Sequence, residues 1–393
     1  MAELAPIHLD PQLYADLQAR LTEFGPVPAA QWLIEQLRQH DDLPNLFSAL
    51  LLRKRLELNL PLLPGPQSEI PEAVRADYDE AIRAACREVG ERYLQRNDPV
   101  QAWPYFRLLG LTEPIREALE RFEPEEGSDL EPIISLALHT GLHPRRGFDL
   151  VLNRYGICSA ITMVSTHDFG NDSATRNYCI GRLVRALHTQ LGERLSQEIA
   201  NREGVKPQWH SLRELIAGRD WLFGDEYYHV DISHLSSIVQ MSLSLPPGPE
   251  LDLACELCEF GARLPKQFQH SGDPPFADFY PDHRRYLEVL ANRDVEANLA
   301  HFYQALPAPD SEETYPAQVL VNLLVQINRL PEALRVARDY LSRSNPQELS
   351  CPGPLELAQR LGDFATLSET AKERHDPVHY LAALITAHQQ PRT

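Results

Sequence analysis

The sequence predicts an all-α chain. It reads as an α-solenoid of stacked helical hairpins with an off-rhythm helical middle block. Three observations lead there. A 34-residue spacing recurs, clearest in residues 83–116 and 314–381. Many of the 32 prolines stand where a helix would begin, as in Asp10-Pro11, Asp98-Pro99, Glu113-Pro114, Asn345-Pro346, Gly353-Pro354 and Asp376-Pro377. Proline is tolerated in a first turn because its missing N–H has no intrahelical partner there. Finally, no apolar/polar alternation bounded by Asn-Gly or Asp-Gly appears, so strands are not expected.

Along the chain, residues 1–60 read as short helices at 11–23, 28–39 and 43–59. The stretch 60–71, with Leu60-Pro61-Leu62-Leu63-Pro64-Gly65-Pro66, reads as a stiff linker or a loop packed on the surface. Residues 72–120 carry the first hairpin region, and the acidic run Glu123-Pro124-Glu125-Glu126-Gly127 marks a boundary. Residues 131–263 form the middle block, with a long helix expected from 173 to about 202. A loop rich in Pro, Asp and aromatics follows at 266–280, and residues 281–388 return to the rhythm.

The rhythm rests on named residues. Gly90 and Tyr93 fall late in one helix, Asn97-Asp98-Pro99 makes a turn, and Ala102 and Phe106 share a face of the next helix before Pro114. Ala333 and Leu367 occupy the Ala102 position in two further units, 34 residues apart. Their turns are Asn328-Arg329-Leu330-Pro331 and Gly362-Asp363-Phe364. A fainter copy runs through Tyr286–Leu290, the turn Asn292-Arg293-Asp294, and Ala297 to Ala305. A small residue at the crossing lets two helices approach, and one hairpin cannot bury its apolar face alone, so copies stack. This pattern resembles the tetratricopeptide repeat family over about a third of the chain. Its small, aromatic, small, aromatic and proline positions are met by Gly90, Tyr93, Ala102, Phe106 and Pro114. Cys86 departs from the family's early Trp, Val321 replaces the small residue, and Ala337 replaces the aromatic after Ala333. The resemblance implies right-handed stacking and a concave surface. It implies no activity, because one fold serves many functions.

Composition narrows the partners. At 393 residues, 43% hydrophobic and 24% charged, the chain has the make-up of a soluble protein of two or three domains, or of one solenoid. A net charge of −19 disfavours nucleic acid and anionic membrane surfaces, which call for a basic stripe. Arg53-Lys54-Arg55 and Arg145-Arg146 are short and read as solvated helix ends. The N-terminus has no basic segment followed by an apolar one, and no run approaches the ~18–20 apolar residues of a span. A cytoplasmic location is the expectation. Cysteines stand at 86, 158, 179, 255, 258 and 351. Cys255 and Cys258 form a single C-x-x-C inside an amphipathic helix pattern. Without a second pair a structural zinc site is not supported, and core thiols are expected.

Chemistry, if present, belongs to the middle block. His139 and His143 have the i, i+4 spacing of a helical metal pair, but His143 precedes Pro144 and falls past a helix end. The other reading makes His139 a core residue and His143 a turn residue. Denser is Asp225-Glu226-Tyr227-Tyr228-His229-Val230-Asp231-Ile232-Ser233-His234. Asp231 suits the N-cap of a helix over 232–245, and His229, Asp231 and His234 form an N/O set suited to zinc, manganese or iron. The alternative is that Asp231 only caps. Cys158 with His167 has the residue types of a nucleophile and base, though an isolated Cys in a helical repeat is usually core. The loop from Phe268 to Tyr280 reads equally as a pocket cover or a packed connector. No Gly-rich phosphate loop or G-x-S-x-G elbow occurs.

Two functions follow. One is a scaffold binding a protein or peptide in its concave groove. The other is a metal-dependent hydrolase, lyase or isomerase. There His229, Asp231, His234 and His139 would be metal ligands, Glu226 or Asp273 the general base, and Arg145 the holder of an anionic substrate group.

Overall fold

Prolines start many of the helices. The computed structural model describes residues 10–63, 69–224, 229–308 and 311–389. Its first helices are α1 (Pro11–Phe24), α2 (Pro26–Gln39), α3 (Leu43–Glu57), α4 (Glu72–Gln95), α5 (Pro99–Leu109) and α6 (Glu113–Arg121). Then come α7 (Glu131–Ile134), running into a π-turn at Ser135–His139, α8 (Pro144–Thr166) and α9 (Ser173–Glu203). The shorter α10 (Leu212–Ile216), α11 (Ile232–Met241) and α12 (Pro249–Ala262) follow. The chain ends in α13 (Phe279–Leu290), α14 (Val295–Gln304), α15 (Tyr315–Gln326), α16 (Leu330–Leu341), α17 (Pro354–Leu361), α18 (Phe364–Glu373) and α19 (Pro377–Gln389). Among the described residues the only β pairing is an isolated bridge between Ser271 and Asp278. The chain divides into two compact units, Met1–Arg154 and Tyr155–Thr393. The division falls beside Gly156, whose φ of 82° breaks α8. Only glycine adopts that angle without a steric penalty.

The hairpin turns share one conformation. Asn97, Asn292, Asn328 and Gly362 have φ of 58°, 57°, 59° and 67°. The next residue then donates its N–H five residues back: Asp98 to Tyr93 O, Arg293 to Glu288 O, Arg329 to Leu324 O and Asp363 to Ala358 O, at 2.8–3.0 Å. This is the Schellman closure, which satisfies otherwise orphaned carbonyls at a helix C-terminus. Asp98 and Asp363 add side-chain caps, accepting from Gln101 N and Thr366 N. The turn at Asn292 is one residue longer, because Asp294 is also left-handed at φ 44° and α14 begins at Val295. The inward position therefore slips from Ala297, which is exposed, to Asn298, which is buried.

Small residues sit where helices cross. Ala102 and Ala333 are both 0% exposed. A Cβ at Gly90 would lie 2.9 Å from the Phe106 ring, so α4 and α5 meet as the sequence spacing requires. In the second unit α9 packs against α10, α11 and α12. Its buried residues Ile180, Leu183, Val184, Leu187, His188, Leu191, Gly192, Leu195, Ser196 and Ile199 alternate three and one apart, a stripe along the whole helix. Trp209 lies across Gly192, and the Tyr280 ring lies 2.5 Å from where a Cβ would stand on Gly261.

Two expectations change, and the loop left open between two readings is decided. The helix over 232–245 stops at Met241 and finishes as a 3-10 turn, Ser242–Ser244, where the Ser242 hydroxyl donates to Ile238 O. Cys158 is exposed, not core, because the kink at Gly156 turns it outward from the buried Ile157 and Ala160. The 266–280 loop is a packed connector. Phe276 is buried against His283, ring centroids 4.1 Å apart, with Tyr286 and Phe302 around it.

Ala333→Phe adds a ring where there is no space. Overpacking of this kind costs ~1–3 kcal/mol. The urea midpoint, followed by far-ultraviolet circular dichroism, is expected to fall accordingly. An unchanged midpoint would show that α15 and α16 do not cross at this residue.

Candidate functional site

The His/Asp group expected from the sequence is placed as follows. Asp231 caps α11: its Oδ1 accepts from Ser233 N at 2.9 Å, His234 N at 3.3 Å and the Ser233 hydroxyl at 2.6 Å. Its Oδ2 lies 4.0 Å from His234 Nε2. His229 turns away, its Nε2 3.2 Å from Leu222 O, and burial lowers its pKa below the usual imidazole value. His139 belongs to the first unit, at the end of the π-turn, and is exposed, not a core residue. His143 lies past the helix end as expected, its Nε2 2.5 Å from Glu120 and its Nδ1 accepting from Arg146 N at 3.4 Å. Arg145 is an exposed residue in the first turn of α8, and Asp273 is exposed in the connector with its carbonyl accepting from Phe276 N. Glu226 lies outside the described residues. Among the described residues no three His, Cys, Asp or Glu gather as a metal site.

The cysteine pair is core, as the helix pattern suggested. Burial pushes the Cys255 thiol up to about 11 and the Cys258 thiol well above its ordinary value. The thiolate is the reactive form, so both stay inert thiols near neutral pH. Arg293 Nη2 donates to Cys255 Sγ at 3.2 Å.

The second unit holds a cleft of about 650 Å³ between α10, α12, α13 and α14, lined by charged side chains. Arg213, Arg263, Arg284 and Arg285 line it together with Glu259 and Glu288. Ile216, Ala217, Ala262 and Pro281 give it an apolar floor. Glu259 is shared: Arg213 donates through Nε and Nη2, both at 2.7 Å, and Arg284 Nη2 approaches to 3.3 Å. Arg284 Nε also donates to Glu288 at 2.9 Å. Arg263 donates to Ile216 O at 2.8 Å, pairs with Asp220 at 2.5 Å and lies over the Phe223 ring. Arg285 donates to the buried Asp282 at 2.7 Å through Nη1. Half-exposed pairs of this kind contribute about 0–1 kcal/mol to stability. Their effect is to hold four guanidinium planes in fixed directions, with further N–H donors on Arg285 not engaged by Asp282.

Beneath Arg213 lies a buried polar pair. Glu256 Oε2 accepts from His188 Nε2 at 2.9 Å and from Leu212 N at 2.7 Å, while Oε1 is 3.7 Å from Arg213 Nη1. Burial opposes the charge on Glu256, yet the hydrogen bonds from His188 and Leu212 outweigh it and lower its pKa. This carboxylate ties α9, the start of α10 and α12 together under the cleft. The signal in the sequence was slight: Arg284-Arg285 is a third short basic spot, and its companions Arg213 and Arg263 are remote in the chain.

No family model matches the chain, and no curated protein or solved structure matches it either.

On the buried face of α13, His283 donates from Nδ1 to Phe279 O at 2.7 Å. Burial pushes its pKa down from 6.5 to about 4. An unfolded His binds its proton near 6.5, so the folded state loses stability as pH falls from 6.5 toward 4. That gap corresponds to about 3 kcal/mol. His283→Phe keeps an aromatic ring and removes the proton site. Its stability is expected to fall less steeply than the parent's over this window in denaturant titrations. Equal slopes would mean that His283 is not held neutral by burial.

Proposed function

We propose that this protein is a non-catalytic helical-repeat scaffold, and that it binds an acidic segment of a partner protein in the cleft of its second unit. The observation that carries this reading is the gathering of four arginines, oriented by Glu259, Glu288, Asp220 and Asp282, over apolar residues of one cleft in a chain of net charge −19. Carboxylates on a partner would compete for the guanidinium forks, and an apolar side chain between them would cover Ile216, Ala217, Ala262 and Pro281. The common hairpin closure and the small residues at the helix crossings agree with the resemblance to tetratricopeptide repeats. Such stacks present binding surfaces without supplying chemistry. No described helix is long and apolar enough to cross a membrane.

The test is a displayed peptide library selected against the full chain, with affinities measured for the recovered peptides. Peptides enriched in Asp and Glu are expected. The Arg284→Ala/Arg285→Ala variant should weaken them by about 2 kcal/mol, roughly thirtyfold. Peptides that bind parent and variant equally would place the site elsewhere. Metal analysis of the same preparation addresses the other reading of the sequence, a metal-dependent enzyme whose ligands include His229, Asp231 and His234. Near-stoichiometric metal, lost in both His229→Ala and His234→Ala, would favour the enzyme reading over the scaffold without proving a reaction.

A further inference from the structure

The three basic residues Arg53, Lys54 and Arg55 are used differently. Arg53 Nε donates to Glu57 at 2.9 Å, and Lys54 Nζ lies 3.7 Å from the same carboxylate. Arg55 pairs with no carboxylate among the described residues. Its Nε donates to the Tyr78 hydroxyl and its Nη1 to Pro61 O, both at 2.8 Å, and the guanidinium lies over the Tyr78 ring. Tyr78 is 4% exposed, so this anchor is part of the core. Two of the five guanidinium N–H groups are engaged in this way. Arg55 lines a groove of about 570 Å³ in the first unit, formed by α1, α2, α3 and α4 together with Leu62. Leu13, Leu17, Leu33, Leu37, Ala49 and Leu52 give it aliphatic walls. Among the described residues that line it, Arg55 is the only charged one. Asn45 and Ser48 turn their donors to the start of their own helix, Asn45 Nδ2 to Asp42 and the Ser48 hydroxyl to Pro44 O. Asn45, Ser48, Leu52 and Arg55 stand three or four residues apart on one face of α3, with the guanidinium at its C-terminal end.

We propose that this groove binds a free long-chain fatty acid, with the alkyl chain along the leucines and the carboxylate on Arg55. Charge complementarity selects the head group. The one charge in the lining is a guanidinium with N–H donors left over and no carboxylate of its own. The walls select the tail. A bound peptide segment brings further N–H and C=O groups, and with Asn45 and Ser48 turned to α3 the walls offer them few partners. An alkyl chain needs none. From Asn45 to Arg55 the helix rises about 15 Å, roughly the extended length of a twelve-carbon chain. The volume lies within the ~300–1,000 Å³ of small-molecule sites, which are mostly apolar with a few placed polar groups.

Calorimetric titration of the full, delipidated chain with dodecanoate, below its micelle concentration, tests this. Saturable one-to-one binding is expected, weakening by up to about fourfold for each methylene removed from the chain. Dodecanol, with the same tail and no charge, should bind at least about tenfold more weakly. Arg55→Met should bring dodecanoate down to the level of dodecanol and leave dodecanol unchanged, whereas Leu52→Asp should weaken both. Leu108→Glu, at an exposed residue of the first unit outside the groove, should change neither. Circular dichroism checks that each variant is folded. Should Arg55→Met fail to fold, the dodecanol comparison and the chain-length series, both on the parent protein, still decide. Equal binding of dodecanoate and dodecanol, an affinity for dodecanoate that survives Arg55→Met, or no dependence on chain length would each overturn the proposal. So would the absence of saturable binding, and Arg55-dependent binding of an amphipathic helical peptide would then assign the groove to a protein partner.

Discussion

An aromatic ring seated directly on a glycine backbone is the contact on which the second unit depends. Tyr280 of α13 lies on Gly261 of α12, and Trp209 lies on Gly192 of α9. In the first unit Phe106 takes the same relation to Gly90. An aromatic side chain buries about 150–250 Å², so each contact is a large share of the local apolar burial. Each also fixes position, because a ring without a Cβ beneath it comes closer than ordinary helix packing permits. Where Tyr280 sits determines how α13 lies on α12. That in turn brings Arg284 within reach of Glu259 and sets Arg213 on the other side of the same carboxylate.

Electrostatics work against the grain of the composition. The chain is strongly acidic, yet the cleft gathers four arginines, each guanidinium held by a carboxylate or carbonyl. Exposed pairs add little to stability. Their orientation is the relevant outcome, since a fixed fork loses less entropy on meeting a ligand. The buried Glu256 is different in kind. With His188 and Leu212 as partners it is a satisfied interior charge, and removing one partner of such a pair costs ~3–5 kcal/mol. It supports the cleft from below and is not itself presented to a ligand.

Much of the fold was legible. Asp98-Pro99 and Asp376-Pro377 announce helix starts because proline presets φ and aspartate caps. Asn97, Asn328 and Gly362 announce ends because they tolerate the left-handed angle. The long helix expected from 173 to about 202 is α9, since its three-and-one spacing is unbroken to Ile199. Other features were hidden. Nothing local told that Asp294 would also turn left-handed and move the buried position to Asn298. The cleft escaped notice because its arginines come from separate helices, and no short motif joins them. The dense His/Asp stretch drew attention through local composition, which says nothing of which way a side chain faces. Asp231 is used by its own helix and His229 by the Leu222 carbonyl.

The sequence by itself determined where most helices begin and end, which faces are apolar, and that Gly90, Ala102 and Ala333 point into the packed side of their helices. These are decided within one or two turns of chain, by capping, φ preference and side-chain volume. Tertiary structure alone decided which remote residues share a site. The fork of Arg213 on Glu259 and the His188–Glu256 pair depend on how whole helices dock. That docking is a sum of many weak non-local contacts. No single stretch of sequence carries it.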